Sequence, residues 1–172
     1  TGALHEGRYD HATALLPNGT VLTVGGTGFS GYLASAELYQ PATGTWSNTS
    51  PMAAVRLMHT ASLLPNGQVL VAGGLNASSQ FEPGTEIYDP ASRTWRPSGA
   101  LAFPRYKHTA TLLPNGKLLL AAGDGGLGPT ASAELYDFAT GTWSPTGALN
   151  TPRRDHAALL LPNGMVLVSG GF

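Results

Sequence analysis

The 172-residue sequence contains no cysteine. This absence excludes disulfide bonds, thiol nucleophiles and cysteine-ligated zinc from the chemistry of the chain. We expect no metal ion and no other cofactor. Cysteine usage also gives no information on the compartment, which stays open, with an extracellular or cell-surface location preferred.

Charged residues are scarce as well: Asp, Glu, Lys and Arg make up 11% of the chain, and the formal net charge is −1. The cationic side chains are scattered, so there is no basic stripe of the kind that follows a phosphate backbone. No apolar run approaches the length that spans a bilayer, and the opening residues do not resemble a signal peptide. We therefore expect neither nucleic acid nor a membrane as a partner.

Glycine, proline and internal repetition are abundant instead. The 23 glycines and 13 prolines are typical of a chain with many tight turns. A histidine preceded three residues earlier by arginine recurs at His11, His59, His108 and His156, with spacings of 48, 49 and 48 residues. A repeat of this length must be interpreted before any single motif, because it determines the fold.

Each repeat predicts four short strands. The first runs into Asn-Gly, which favours a type I′ hairpin turn. The second, as in "QVLVAGG", is almost entirely apolar, which predicts a strand covered on both faces. The third, "SAELYD", alternates, and the fourth, "TWS", carries a tryptophan. The third repeat has Ala122-Gly123 in place of the double glycine, a change of little consequence if only the second position needs unusual backbone geometry.

A four-stranded unit of about 48 residues with double glycine, Tyr and Trp at fixed offsets resembles the kelch repeat. The resemblance extends over essentially the whole chain. It implies an all-β fold of kelch-like β-propeller blades at residues 8–52, 56–101 and 105–149, with a half-blade at 153–172, in a single array over 1–172. Such an array makes an incomplete ring, because closed rings need at least four blades.

The incomplete ring predicts association. Open strand edges pair with other chains, so we expect the chain to bind itself or another propeller fragment, completing a ring or extending a filament. A protein or glycan ligand is the other expected partner. The function predicted on this basis is a non-catalytic scaffold for binding or self-assembly.

An enzyme is the alternative. The enzymes implied by the resemblance are galactose and glyoxal oxidases, whose copper site requires a cysteine cross-linked to tyrosine. This chain has no cysteine. The non-repeated polar residues Asp124, Arg154, Glu82 and His5 form no catalytic pattern in the sequence. The alternative that stays open is a fragment of a larger secreted propeller enzyme, oxidase-like or glycosidase-like, with its catalytic residues outside this chain.

Residues that recur once per repeat favour a structural role. Equivalent histidines in sheets about 10 Å apart cannot share one metal ion. We expect the repeated aromatic residues to pack the blades against one another; these are Tyr39, Trp46, Tyr88, Trp95, Tyr136 and Trp143. A carboxylate in a packed sheet needs a cation, which predicts inter-blade pairs of each glutamate with the arginine nineteen residues later: Glu37 with Arg56, Glu86 with Arg105, and Glu134 with Arg153. Arg8 is left without a carboxylate from this chain.

The variable loops are the predicted binding surface. Loops that follow the second strand, and linkers between repeats, differ from copy to copy and share one face of a propeller, where function usually resides. The predicted binding residues are Phe29, Tyr32, Phe81, Phe103 and Tyr106, unless these aromatics fold back over the blades. Three Asn-x-Ser/Thr triplets, at Asn18, Asn48 and Asn76, are candidate glycosylation sites.

Overall fold

The computed structural model describes residues 2–172. Within this range every regular element is a β-strand. The strands, in chain order, are β1 (Ala12–Leu15), β2 (Val21–Val24), β3 (Thr27–Gly28), β4 (Gly31–Tyr32), β5 (Ala36–Gln40), β6 (Thr45–Thr49), β7 (Thr60–Leu63), β8 (Val69–Ala72), β9 (Gly84–Asp89), β10 (Thr94–Ala100), β11 (Thr109–Leu112), β12 (Leu118–Ala121), β13 (Ala133–Asp137), β14 (Thr142–Thr146), β15 (Ala157–Leu160) and β16 (Val166–Ser169).

The sheets repeat one antiparallel arrangement, with the strands in sequence order from the inner to the outer edge. Blade 1 contains β1, β2, β5 and β6, blade 2 contains β7 to β10, and blade 3 contains β11 to β14. The fourth sheet consists of β15 and β16. The first strands of successive sheets contact one another and so form the inner edge of the array. The predicted all-β propeller blades are therefore confirmed, and the described strands do not close a ring.

The core lies between blades. Val69 and Val71 of β8 pack toward blade 1, where they join Leu22 in one apolar cluster. Leu70, the residue between them, faces the other way and packs with Leu118 of blade 3. Since each such buried side chain stabilises the fold by about 1.5–3 kcal/mol, the continuous apolarity of the second strands reflects burial on both faces.

The repeated aromatics pack within and between blades. Tyr88 and Trp95 lie side by side in blade 2, with ring centroids 5.0 Å apart. The hydroxyl of Tyr88 lies 2.8 Å from Thr49 Oγ1 of blade 1, and Trp95 Nε1 donates to the carbonyl of Ser50 at 2.7 Å. The pairs Tyr39–Trp46 and Tyr136–Trp143 have the same 5.0 Å separation. Tyr88 and Trp95 thus tie the outer part of blade 2 to blade 1, and Tyr136 does the same for blade 3, because its hydroxyl lies 2.6 Å from Ser98 Oγ of blade 2.

The Asn-Gly turns differ from the prediction of type I′. In the first turn Gly19 N donates to Leu16 O, Leu16 N donates to Thr20 O, and only Gly19 has a positive φ, of 81°. This is a three-residue loop with a type I turn and a glycine bulge. The prediction overlooked Pro17, whose ring fixes φ near −65° and suits the first position of a type I turn. All four copies use this turn.

The double-glycine position also differs from the prediction, because both of its residues have positive φ. Gly73 has φ of 65° and Gly74 of 90°. A Cβ at Gly25, the equivalent of Gly73 in blade 1, would lie 2.6 Å from the carbonyl oxygen of Arg56 in the next blade. Ala122 takes the first of these two positions in blade 3. Its φ of 56° is left-handed, a conformation that is costly for a residue with a side chain.

The repeated histidines lie at the start of the inner strands, between blades. His108 Nε2 is 3.0 Å from Thr60 Oγ1 of blade 2, and His156 Nε2 is 2.9 Å from Thr109 Oγ1 of blade 3. The equivalent position in blade 1 is Ala12, and neither ring nitrogen of His59 has a hydrogen-bond partner. Burial, with a smaller contribution from the neighbouring arginine, lowers the pKa of both His59 and His108 to about 3.

We expect acid to destabilise the fold through these two histidines. Between pH 6.5 and 4.5 the unfolded chain protonates them, since their ordinary pKa is 6.5, whereas the folded chain keeps them neutral. The unfolded state binds more protons, so each histidine lowers the free energy of unfolding by about 1.4 kcal/mol for every unit by which the pH falls. In urea titrations across this range these two histidines should contribute up to about 2.7 kcal/mol per unit, in addition to smaller contributions from His11 and His156, whose pKa values burial also lowers. His59→Leu should reduce the measured slope by about 1.4 kcal/mol per unit. A slope that His59→Leu leaves unchanged would contradict the assignment.

A threonine at position 12 should stabilise the protein. Ala12→Thr places a hydroxyl opposite His59, in the place that Thr60 has opposite His108. The expected gain is about 1 kcal/mol, the worth of one buried hydrogen bond. Thr60→Ala is the matched control, because it leaves His108 Nε2 unpaired and should cost about as much or more. Equal urea midpoints for Ala12→Thr and wild type would refute the hydrogen bond.

Candidate functional site

Two kinds of connection share one side of the array. We call this side the loop face; it consists of the loops after the second strands (residues 25–35, 73–83 and 122–132) and the linkers between sheets (50–59, 101–108 and 147–156). The segment that leads into blade 1, residues 2–11, takes the equivalent path and is also called a linker. The opposite side, the turn face, carries the Pro-Asn-Gly turns. A linker leaves the outer strand of one sheet and must cross the next sheet to reach its inner edge, so its backbone polar groups need partners.

A glutamate on the third strand supplies those partners. Glu86 accepts hydrogen bonds from Ala53 N at 2.7 Å and Ala54 N at 3.4 Å, both in the linker that enters blade 2. Glu134 does the same for the linker into blade 3, from Ala102 N at 2.8 Å. Glu37 accepts from His5 N at 2.9 Å. Burial alone would raise the pKa of Glu37, but its hydrogen bonds from His5 and Arg8 bring it below the ordinary value.

An arginine from the same linker completes each site. Arg8 Nη2 lies 2.9 Å from Glu37, Arg56 Nη2 lies 3.2 Å from Glu86, and Arg105 Nη2 lies 3.1 Å from Glu134. We call each pair a clamp. All six side chains are at most 7% exposed. Buried ions are tolerated only when they are paired and hydrogen-bonded, and the clamps meet both conditions.

The clamps correct the predicted pairing. Glu37 with Arg56, Glu86 with Arg105 and Glu134 with Arg153 were expected across blades, whereas each glutamate binds the arginine of the linker that enters its own blade. The physical reason is the path of that linker, which passes over the third strand of the blade it enters. Arg8, expected to be unpaired, binds Glu37. Arg153 instead donates to Gly170 O at 2.7 Å.

Each arginine also holds the loop above its blade. Arg105 Nη1 donates to the carbonyls of Ala122 and Ser132, at 3.0 and 2.6 Å, which are the first and last residues of that loop. Arg8 binds Gly25 and Ser35 in the same way, at 2.9 and 3.0 Å. One guanidinium thus fixes both ends of a loop whose sequence varies between repeats.

Blade 2 has a weaker version of this arrangement. Arg56 binds Gly73 O at 3.3 Å, and no bond joins it to the other end of the loop. The serine hydroxyl that binds the guanidinium in the other blades, Ser132 Oγ at 2.8 Å in blade 3, is missing because the residue at this position is Gly84. The Nε atom of Arg56 is buried without a partner, as is that of Arg8, so the difference between the blades lies in the bonds to the loop.

The predicted binding aromatics divide into two groups. Phe29, Phe103 and Tyr32 are exposed at 106%, 54% and 39% of their reference surface. Phe81 and Tyr106 are only partly exposed, because they pack on each other with ring centroids 5.7 Å apart. These two follow the alternative that was stated with the prediction: they join the loop of blade 2 to the linker into blade 3 and so fold back over the blades.

Phe29 lies at the tip of a small hairpin. Strands β3 and β4 pair Thr27 with Tyr32 and Gly28 with Gly31, which leaves Phe29 and Ser30 as the turn. The hairpin is braced at its side by Glu6, whose Oε1 accepts from Ser30 Oγ at 2.9 Å. The ring is therefore held away from the blade by ordered backbone.

A cavity of about 300 Å³ opens beside Phe103 in blade 3. Its apolar walls are Phe103 and Pro104 from the linker and Leu127 and Pro129 from the loop. Leu127 is fully exposed, at 106%, between two glycines with positive φ. The sequence prediction missed it because only aromatic residues were considered, although the segment "GGLGP" places an isolated apolar side chain between residues typical of loop tips.

Two polar pairs that the sequence did not predict brace the loop face. Arg154 Nη1 lies 2.6 Å from Asp124 Oδ2, and its guanidinium lies 4.8 Å above the ring of Phe172. His5 Nδ1 lies 2.9 Å from Glu37. Both pairs stabilise linkers. Across residues 2–172, no three side chains of types that ligate metals are grouped.

The candidate glycosylation sites differ in accessibility. Asn18 is exposed in the first turn, and Asn48 is exposed on β6. Asn76 is partly buried, and its Oδ1 accepts hydrogen bonds from Ser78 N and Gln80 N. No helix in the described part of the chain is long and apolar enough to cross a membrane.

Restoring the missing serine in blade 2 should stabilise the protein. Gly84→Ser adds a hydroxyl for Arg56, and a Cβ at this position meets only the flexible carboxylate of Glu82, at 3.3 Å. We expect a gain of about 1–2 kcal/mol from the hydrogen bond and from the less flexible unfolded backbone. Ser132→Gly should lose a similar amount from blade 3. Urea unfolding of the two variants measures both, and destabilisation by Gly84→Ser would contradict the geometry.

Comparison with known proteins agrees with the propeller fold. A solved structure described as "Structure of YjhT", a kelch-type propeller, superposes with a TM-score of 0.83 at 18% sequence identity, over 95% of this chain and 59% of that one. The chain thus spans about three fifths of that protein. No curated protein sequence matches. The family model of the kelch motif matches residues 8–53 and 56–100, each of which contains one clamp and together more than half of the sequence. The chain therefore belongs to the kelch family.

Proposed function

We propose that this propeller array is a non-catalytic scaffold whose loop face binds the surface of a protein. The observation that carries the proposal is the exposure of Phe29, Phe103 and Leu127 on that face. Phe29 and Leu127 lie on loops whose two ends are held by an arginine. Large apolar side chains held in water are costly and are typical of interaction surfaces.

The clamps support this role, because they prepare the loops for binding. Arg8 and Arg105 each hold both ends of a loop, so the apolar tips above them lose little conformational freedom when a partner binds. Preorganisation of this kind raises affinity by reducing the entropy lost on association.

A protein surface fits the loop face better than a glycan. Sugar recognition needs free hydrogen-bonding groups around a stacking ring. In the cavity beside Phe103, Ser132 Oγ already binds Arg105 at 2.8 Å and lies 3.1 Å from Thr130 Oγ1. The polar groups of the cavity are thus paired with one another, and its apolar walls suit an aromatic or aliphatic side chain.

The repeated charged and imidazole groups favour scaffolding over catalysis. The arginines and glutamates of the clamps bind each other and the backbone. His59 and His108 lie inside blade interfaces, where burial holds their pKa near 3. A general acid or base that works near neutral pH needs a pKa near that pH and access to substrate.

Selection of peptides from a random library tests the proposal. With the wild-type chain as bait, we expect apolar peptides whose affinity falls at least tenfold on Phe29→Ser/Leu127→Ser, because hot-spot residues dominate binding. Met165→Ser is the control, since Met165 is 60% exposed next to a turn on the turn face. Calorimetry measures the affinities. Peptides that bind the double variant as well as wild type would refute a binding role for the loop face.

A further inference from the structure

The loop face carries an apolar projection and an apolar cavity on different blades. The projection is the β3–β4 hairpin of blade 1, with the fully exposed ring of Phe29 at its tip. The cavity lies in blade 3, between Phe103 and Leu127. Because loops after second strands and linkers emerge at the same ends of the strands, both features open toward the same side of the array.

The cavity has the size and chemistry to accept the ring. Its volume is about 300 Å³, and an apolar cavity of about 150 Å³ is already large enough for benzene. Besides the apolar walls described above, it is lined by Thr130, Ser132 and Arg105, whose guanidinium is paired with Glu134 and with the loop carbonyls. A phenylalanine side chain is therefore a suitable occupant.

The hairpin is rigid enough to insert without a large entropic cost. Tyr9 and Thr27 exchange backbone hydrogen bonds at 3.0 and 2.8 Å, which joins the hairpin to the linker beneath it. Leu33 N donates to Gly26 O at 2.9 Å and closes its base. Ser30 is held by Glu6 at 2.9 Å.

Within one chain the hairpin and the cavity are separated by blade 2. A two-fold axis that runs radially through blade 2, in the plane of the loop face, would place blade 1 of one copy over blade 3 of the other. The same operation places the second hairpin over the second cavity. Such an interface is isologous, and it closes at two copies.

We propose that the partner of the loop face is a second copy of this chain, with Phe29 of each copy inserted between Phe103 and Leu127 of the other. This inference rests on the proposed function of that face and names the partner. It depends only on residues of blades 1 and 3.

The area available indicates a weak dimer. Full burial of an aromatic side chain removes about 150–250 Å² of surface. Phe29 is fully exposed and Phe103 only 54% exposed, so two copies of each account for about 450–750 Å². Stable interfaces bury about 1,200–2,000 Å² in total. The contact should therefore be concentration-dependent, and covalent trapping is the most sensitive test.

Cysteine trapping is direct, because the chain has no cysteine of its own. Chains with Phe29→Cys and chains with Leu127→Cys are mixed and oxidised. We expect a covalent dimer to form at least tenfold faster in this mixture than with either variant alone. A mixture of Phe29→Cys with Met165→Cys is the control, since Met165 is comparably accessible but lies on the turn face. Equal rates in all mixtures would overturn the proposal.

The doubly substituted chain Phe29→Cys/Leu127→Cys tests the symmetry. A reciprocal contact gives a closed dimer with two disulfides, whereas a head-to-tail contact gives a ladder of larger species. A ladder would overturn the two-fold arrangement. The Phe29→Ser variant without added cysteines should associate more weakly than wild type in sedimentation experiments. Its unfolding midpoint should be unchanged, because the ring of Phe29 is fully exposed in the single chain. Unchanged association would likewise overturn the proposal.

These outcomes are separable from those of the peptide selection. Peptides that bind wild type and lose affinity on Phe29→Ser/Leu127→Ser, together with no specific trapping, would refute the second copy as partner and leave the loop face as a binding surface. Specific trapping without selected peptides would support the dimer and restrict the loop face to that single partner.

Discussion

The structure depends on one interaction, the buried clamp between a linker arginine and the glutamate of the third strand. A linker must cross a sheet to reach its inner edge, and its backbone amides would otherwise be buried without partners. The glutamate accepts those amides, and the arginine neutralises the glutamate. Removal of one member of such a pair leaves an uncompensated charge and costs about 3–5 kcal/mol. The requirement therefore applies to both residues together, which accounts for their joint recurrence.

The double-glycine position is hydrogen-bonded to the same arginines that form the clamps. The first residue of the kink turns its carbonyl toward the arginine of its own blade, as Gly25 O does toward Arg8. The amide of the second residue binds the carbonyl of the next arginine, as Gly26 N does to Arg56 O at 2.7 Å. One arginine thus holds its own loop through its side chain and the preceding blade through its backbone. Positive φ at both positions is the geometric condition for these two bonds.

Much of the fold could be predicted from the sequence, because it depends on local pattern and on repetition. The apolar second strands, the tryptophan strand and the blade length follow from residue type and spacing. The partner of each arginine does not, because repetition itself makes it ambiguous. A glutamate precedes Arg56 by nineteen residues and another follows it by thirty, and only the path of the linker selects the second.

Three other features were not predictable from the sequence for similar reasons: the turn type, the packing of Phe81 and the exposure of Leu127. The turn type depended on Pro17, a residue outside the Asn-Gly pair that was considered. The partial burial of Phe81 depends on Tyr106 of the next blade, a contact that no spacing within the sequence encodes. Exposure at the loop tips was predictable for Phe29, whose neighbours Gly28 and Gly31 favour a tight hairpin. It was less so for Leu127, because an aliphatic residue in a variable loop is as often covered as exposed.

The clamps also explain how a symmetric scaffold supports an asymmetric surface. Because the guanidinium holds the first and last residues of a loop, the residues between them can change without disturbing the blade beneath. Blade 1 uses that freedom for a hairpin, blade 3 for a glycine-rich loop beside a cavity, and blade 2, whose arginine holds its loop at one end, adds the contact between Phe81 and Tyr106. This aromatic pair therefore provides blade 2 with a packing contact in a loop that lacks the serine bonds of the other two blades. Specificity can therefore change at a few loop positions, while stability remains with the clamps and the apolar strands between blades.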